Sequence, residues 1–90
     1  LTEIALNHKD FRARKSATLA LTNANGDNVT KTIARILLFD GHEEVRRAAA
    51  LVLGERRDPM GREALEKAEQ GDASGRVRGA ATHALSELPK

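Results

Sequence analysis

Apolar residues recur along this chain at the spacing of one face of an α-helix. One ten-residue pattern occurs three times, as FRARKSATLA from Phe11, VRRAAALVLG from Val45 and VRGAATHALS from Val77. Each copy places small or apolar residues on one side of a helix with 3.6 residues per turn, and the period-two alternation of a β-strand is absent. The pattern therefore predicts an all-α chain.

The distance between the copies indicates how the helices are arranged. As aligned, the copies begin 34 and then 32 residues apart, which is the length of a two-helix unit stacked on copies of itself. We predict a right-handed α-α superhelix, a solenoid of about two and a half repeats. The alignment makes three sets of positions equivalent, an apolar residue, an arginine and a leucine: Phe11, Val45 and Val77; Arg12, Arg46 and Arg78; Leu19, Leu53 and Leu85.

Capping and turn residues divide the single domain that we predict for residues 1–90. Asn7 and Asp40 are predicted to begin the first helix of a repeat, whereas Asn28 and the Asp58-Pro59 pair are predicted to begin the second. The predicted division is the end of a preceding helix in 1–6, repeat 1 in 7–40, repeat 2 in 41–72 and the first helix of repeat 3 in 73–90.

The ends of the predicted stack expose apolar surface, because each interior repeat needs a neighbour on both sides. Without a second helix in repeat 3, we expect Val77, Ala81, Leu85 and Leu88 to lack a partner on one side. Three arrangements would cover such a surface: a longer parent protein, self-association through the end repeats, or a helix that folds over as a cap.

Composition narrows the function classes. The chain has no cysteine, which excludes disulfides and thiolate metal sites. It has no apolar run long enough to cross a membrane and no signal-peptide pattern, so we expect a cytoplasmic location and no membrane partner. Residue 1 is Leu rather than Met, which leaves open whether the chain is a piece of a longer protein.

The charge distribution argues against nucleic acid. Residues 1–39 carry a net charge of +3, residues 40–72 carry −3 and residues 73–90 carry +2. A phosphate backbone requires positive charge along its whole path, and the negative central repeat interrupts that path. The chain also lacks Trp and Tyr, the side chains best suited to stacking on bases.

The sequence contains no recognisable catalytic constellation, and we expect no enzyme activity, metal or cofactor. His8 and His42 precede the repeated pattern by three residues each, where a polar role at the start of a helix is the simplest interpretation. His83 is isolated on the third copy. Nucleophile-elbow, phosphate-loop and dinucleotide motifs are absent from the sequence.

The repeated segments resemble HEAT repeats of the short kind found in phycobilisome lyase-like proteins, whose repeat reads roughly DPEVRRAAAxALGxLGDPxAxxxLxxAL. The resemblance is closest between Asp40 and Leu65, in the segment HEEVRRAAALVLGERRDPMGREAL. It implies that the repeat arginines bind turn aspartates or carbonyls of a neighbouring repeat. It also implies one alternative function, a bilin lyase-like accessory role in attaching tetrapyrroles to phycobiliproteins.

The second helix of each repeat, which lines the concave side of HEAT-type stacks, is the candidate binding surface. We predict a non-catalytic protein-interaction or scaffold module whose partner is another protein. Nucleic-acid binding is a second alternative. The predicted partner-binding residues change in charge along the stack, from cations in repeat 1 to mostly acids in repeat 2: Lys31, Arg35, Arg62, Glu63, Glu66 and Glu69.

Overall fold

The computed structural model describes residues 1–89 and shows only helices in that part of the chain. The six α-helices are α1 (Thr2–Asn7), α2 (Phe11–Ala20), α3 (Asp27–Phe39), α4 (Glu43–Arg56), α5 (Arg62–Gly71) and α6 (Gly75–Glu87). Short 3₁₀ turns at Leu21–Asn23 and Pro59–Gly61 follow α2 and precede α5. The all-α prediction is confirmed. The predicted end of the third unit, at residue 90, lies outside the described residues.

The helices form two rows, which we call the A row (α2, α4 and α6) and the B row (α1, α3 and α5). Each B-row helix packs against the A-row helix that follows it in the chain, giving the pairs α1–α2, α3–α4 and α5–α6. Neighbouring pairs then stack through contacts along both rows. The Cα positions extend over 34 × 29 × 14 Å, as expected for a short solenoid only two helices thick.

Successive A-row helices begin 32 residues apart, at Phe11, Glu43 and Gly75. The 34-residue spacing predicted between the first two copies is therefore wrong by two residues. Leu19 shows the consequence, because it is 45% exposed whereas Leu53 is buried; the nearby buried leucine is Leu21, in the 3₁₀ turn that follows α2. Phe11 and Arg12 mimic the Val45-Arg46 pair in sequence, but they occupy the positions of Glu43 and Glu44 in the fold.

The residues that cap the helices follow the same 32-residue register. Asp10 caps α2 by accepting a hydrogen bond from the backbone N–H of Arg12 at 2.8 Å, so the predicted cap Asn7 is instead the last residue of α1. The start of α3 also differs from the prediction, since the helix begins after Gly26 at φ 115° and includes Asn28. The Asp58-Pro59 start is confirmed as a capped 3₁₀ turn that leads into α5.

The core is a thin layer of aliphatic and alanine side chains between the two rows. Its largest fully buried members come from α3, α4, α5 and α6: Ile33, Ile36, Leu37, Val45, Val52, Leu53, Leu65 and Val77. Small residues let α4 and α6 approach closely, since a Cβ added at Gly54 would lie 2.9 Å from the Cα of Ala84. The close contact makes α4 the central helix of the stack.

The C-terminal end is better covered than the sequence predicted. Val77 and Ala81 are fully buried and Leu88 is nearly so, because α6 packs against both α4 and α5. The expectation that Val77, Ala81 and Leu88 lack a partner is wrong, and Leu85 is partly buried against the core. That expectation assumed that α6 awaited the second helix of its own repeat, whereas its partner is the preceding helix α5.

Candidate interaction surface

A ladder of arginine–aspartate pairs joins successive helix pairs. Arg14 binds both carboxylate oxygens of Asp40 at 2.8 and 3.1 Å, and Arg46 binds Asp72 in the same way at 2.9 and 3.2 Å. Each of these side chains is largely buried. The hydrogen bonds that Arg14 donates to the Asp40 carboxylate raise the pKa of its guanidinium. Bidentate pairing of this kind holds neighbouring layers in a fixed register.

A second contact of the ladder identifies its true members. Arg14, Arg46 and Arg78 each donate from Nη1 to the carbonyl six residues earlier, at 2.8, 2.9 and 2.7 Å. Arg12, the member predicted from the sequence, instead pairs with its own helix cap Asp10, and its side chain is 78% exposed. The implied role of the repeat arginines thus belongs to Arg14, and Arg12 does not take part.

A buried polar cluster closes the opposite end of the helices. Arg56 donates to the hydroxyl of Thr30 at 3.2 Å, and that hydroxyl donates to the Asp58 carboxylate at 2.8 Å. Arg56 also binds three carbonyls of the turn after α2, from Leu21 to Ala24. Hydrogen bonds from the Met60 N–H and from Thr30 lower the pKa of Asp58. These hydrogen bonds link the turn after α2 to α3 and to the start of the 3₁₀ turn before α5, so they give the charges of this cluster a role within the fold.

The histidines near the helix starts act on the backbone. The Nδ1 atoms of His8 and His42 accept hydrogen bonds from the N–H groups of Asp10 and Glu44, at 3.0 and 3.1 Å. The ring of His42 also stacks on Phe11 with the ring centroids 3.7 Å apart. His83 is exposed and lies 3.4 Å from a carboxylate oxygen of Glu87. Within residues 1–89, no three His, Asp or Glu side chains are placed to hold a metal ion.

The predicted binding residues divide into two groups. Lys31 and Arg35 on α3, and Glu63 and Glu66 on α5, are exposed on the B row. Two others contact the C-terminal end of the stack. Arg62 donates to the carbonyl of Pro89 at 3.0 Å, and Glu69 accepts from the Thr82 hydroxyl at 2.8 Å. Four of the six predicted binding residues are therefore exposed on the B-row side of the stack.

Apolar side chains lie between these charges, and the sequence analysis missed them. A shallow groove of about 210 Å³ between α3 and α5 is lined by Ala34, Leu38 and Met60, with Glu63 and Lys67 at its edge. Phe39 is 77% exposed beside Arg35, next to a smaller groove between α1 and α3. We call this set the B-row surface: Lys31, Ala34, Arg35, Leu38, Phe39, Met60, Glu63, Glu66 and Lys67.

The sequence profile of HEAT repeats matches residues 1–87, which is nearly the whole chain. The chain belongs to the HEAT-repeat family. The match is to HEAT repeats in general, and the finer likeness to phycobilisome lyase-like proteins is not shown. No curated protein matches the chain in sequence.

HEAT repeats commonly mediate interactions between proteins, and the B-row surface of this HEAT-repeat chain has the mixed character that such contacts use. The ion pair between Glu63 and Lys67 on this surface is 3.3 Å long, and both side chains are largely exposed. Breaking it would therefore cost little stability. Over the part of the chain described, no helix has both the length and the apolar character required to cross a membrane.

Proposed function

We propose that this HEAT-repeat domain is a non-catalytic protein-interaction module whose B-row surface binds a helix or extended segment of another protein. The observation that carries the proposal is the combination of exposed apolar side chains with opposite charges on adjacent helices. Phe39 and Met60 are 77% and 46% exposed, and they lie beside cations on α3 and acids on α5.

The apolar part would supply most of the binding free energy. An aromatic side chain such as Phe39 gains about 1.5–3 kcal/mol when it is fully removed from water. It has no such burial within the fold, although neighbouring Ile36 and Leu37 are buried. Exposed apolar side chains rimmed by polar ones mark surfaces that bind other proteins.

The charges would select the partner and its direction. Lys31 and Arg35 lie on α3, whereas Glu63 and Glu66 lie one layer further along the stack on α5. A complementary segment would place acidic residues over α3 and basic residues over α5. Such matching affects association rate and specificity more than affinity.

The test is the capture of partners from a lysate of the source organism, with bound proteins identified by mass spectrometry. Two variants address the two parts of the surface, Phe39→Ala and the double variant Glu63→Lys with Glu66→Lys. Glu55→Lys on α4 is the control, because it makes one substitution of the same kind at an exposed site away from the B row. All proteins are first compared by circular dichroism.

We expect at least one partner to be retained by the wild type and by Glu55→Lys and to be lost from both B-row variants. Its affinity for each purified variant would then be measured by calorimetry. A partner retained equally by all four proteins would contradict the proposed surface. Co-purification of a coloured tetrapyrrole or of nucleic acid in place of a protein would contradict the proposed function.

A further inference from the structure

A second groove lies on the A row, between the exposed sides of α4 and α6. It encloses about 580 Å³ and is lined by Arg47 and Leu51 from α4 and by five residues from α6: Gly75, Arg76, Gly79, Ala80 and His83. Its apolar lining comes from Leu51 and Ala80, which are at least partly buried, and the two arginines that line it are exposed. This groove is separate from the B-row surface and its charge is of one sign.

The 32-residue register shows why the two arginines are unusual. At the preceding interface, between α2 and α4, the ammonium of Lys15 pairs with a carboxylate oxygen of Glu44 at 3.3 Å. A shift of 32 residues turns these positions into Arg47 and Arg76. Two like charges therefore stand where the preceding interface has an ion pair, and like charges in such positions repel.

The nearby acids do not neutralise the two guanidiniums. Glu44 pairs with Lys15 on the other side of α4, and Glu87 lies against His83. Glu43 is one turn before Arg47 on the same helix, but the two do not approach within ion-pair distance. Among residues 1–89, neither Arg47 nor Arg76 forms an ion pair or donates a side-chain hydrogen bond to a protein atom.

Gly79 keeps the groove open at its centre. A glycine inside a helix is less stable than an alanine, so its presence there calls for a reason. Packing supplies that reason at Gly54, which touches Ala84 on α6, but a Cβ added at Gly79 would meet nothing within 4 Å. The space above Gly79 would let the backbone of a bound segment approach α6 closely.

We infer that this groove binds an acidic segment of a partner protein. A carboxylate of that segment would bridge Arg47 and Arg76, since guanidiniums bind carboxylates through paired hydrogen bonds. An adjacent apolar side chain would cover Leu51. The apolar lining and the acids of α4 favour a peptide over a nucleic acid, whose continuous phosphates would extend toward Glu43 and Glu55.

The test uses a defined probe, the fluorescein-labelled peptide GSDELDEGS, and its neutral counterpart GSNQLNQGS. Fluorescence anisotropy is measured against the 90-residue chain at low and at physiological salt. The variants are Arg47→Gln with Arg76→Gln, which removes the charges, and Gly79→Leu, which fills the groove where no atom is in the way. Lys9→Gln with Arg57→Gln is the matched control, because it also removes two exposed positive charges and neither residue belongs to this groove or to the B-row surface.

We expect the acidic peptide to bind and the neutral one to bind far less. Loss of both arginines should weaken binding on the order of tenfold, because two charge-assisted contacts are removed. Gly79→Leu should weaken it as well, with unchanged helix content, and the Lys9→Gln, Arg57→Gln control should not. This outcome is independent of whether the B-row surface binds a partner.

Four results would overturn the inference. The first is an absence of binding at millimolar acidic peptide, and the second is equal binding of the two peptides. The third is an equal loss of affinity in the Lys9→Gln, Arg57→Gln control and in the Arg47→Gln, Arg76→Gln variant. The fourth is tighter binding of a single-stranded oligonucleotide than of the acidic peptide. The last result would assign the groove to phosphate groups. Thermal unfolding of each variant separates loss of the groove from loss of the fold.

Discussion

Replacing the ladder arginines by alanine should destabilise the fold, and replacing Arg12 should not do so to a comparable degree. Arg14 and Arg46 each form two hydrogen bonds to a nearly buried aspartate and at least one more to a backbone carbonyl. Arg12 pairs only with Asp10 and lies in solvent. The sequence alignment placed Arg12 in the ladder, so the comparison also tests the 32-residue register.

The expected loss follows from the groups left behind. In Arg46→Ala, the Asp72 carboxylate keeps only the hydrogen bond from the N–H of Ser74, and the Asp40 carbonyl loses its donor. Arg46→Ala leaves a buried charge without its partner and removes charge-assisted hydrogen bonds, so we expect it to lower the free energy of unfolding by about 2–3 kcal/mol. We expect a similar loss for Arg14→Ala. This is a large part of the roughly 5–13 kcal/mol expected for a chain of this size.

Urea unfolding followed by circular dichroism measures these differences, provided that the slope of the transition is unchanged. A second replacement, Asp72→Asn in the Arg46→Ala background, should recover part of the loss because it removes the unpaired charge while keeping an acceptor for Ser74. The reasoning would be refuted if Arg12→Ala lowered the free energy of unfolding as much as Arg14→Ala does.

Three further predictions concern the packing of the helices and the loss of stability at acid pH. Gly54→Ala should destabilise the fold by about 1–3 kcal/mol, because the new methyl would lie 2.9 Å from Ala84. Gly79→Ala should instead raise stability by up to about 1 kcal/mol. Thermal unfolding of the two variants measures both changes. Leu65→Ala, at a fully buried site, should lower the free energy of urea unfolding by about 2–5 kcal/mol. The lowered pKa of Asp58 stabilises the fold above the ordinary aspartate range, and this contribution is lost as the pH falls through the lowered value. Asp58→Asn should therefore make the free energy of unfolding depend less on pH in the acid range.

The helical character of the fold could be predicted from the sequence because each helix carries its own apolar stripe. The start at Asp58-Pro59 could also be predicted, since a capping aspartate followed by proline is a local signal. The register of the first repeat could not be predicted from the sequence. Phe11-Arg12 and Ala13-Arg14 both place a nonpolar residue before an arginine, and only the stacked neighbour Asp40 distinguishes them.

The candidate surface was predictable only in part, for a related reason. Helical periodicity suffices to place Lys31, Arg35, Glu63 and Glu66 on the outside of their helices. It does not show that Arg62 and Glu69 contact the following helix pair, because that depends on α5 packing against α6. The closeness of Arg47 and Arg76 was also missed, because the 34-residue spacing between the first two copies does not relate Arg47 to Lys15.

The central claim, that the B-row surface binds a partner protein, is tested most directly by site-specific photocrosslinking. A photoreactive amino acid is placed at Glu66 on α5 or, as the control, at Glu55 on α4, and the two proteins are irradiated in lysate of the source organism. Both positions are exposed. The account predicts a discrete protein adduct from position 66 that is absent from position 55 and disappears in the Phe39→Ala background. An adduct of equal yield from position 55, or one from position 66 that persists without Phe39, would contradict it.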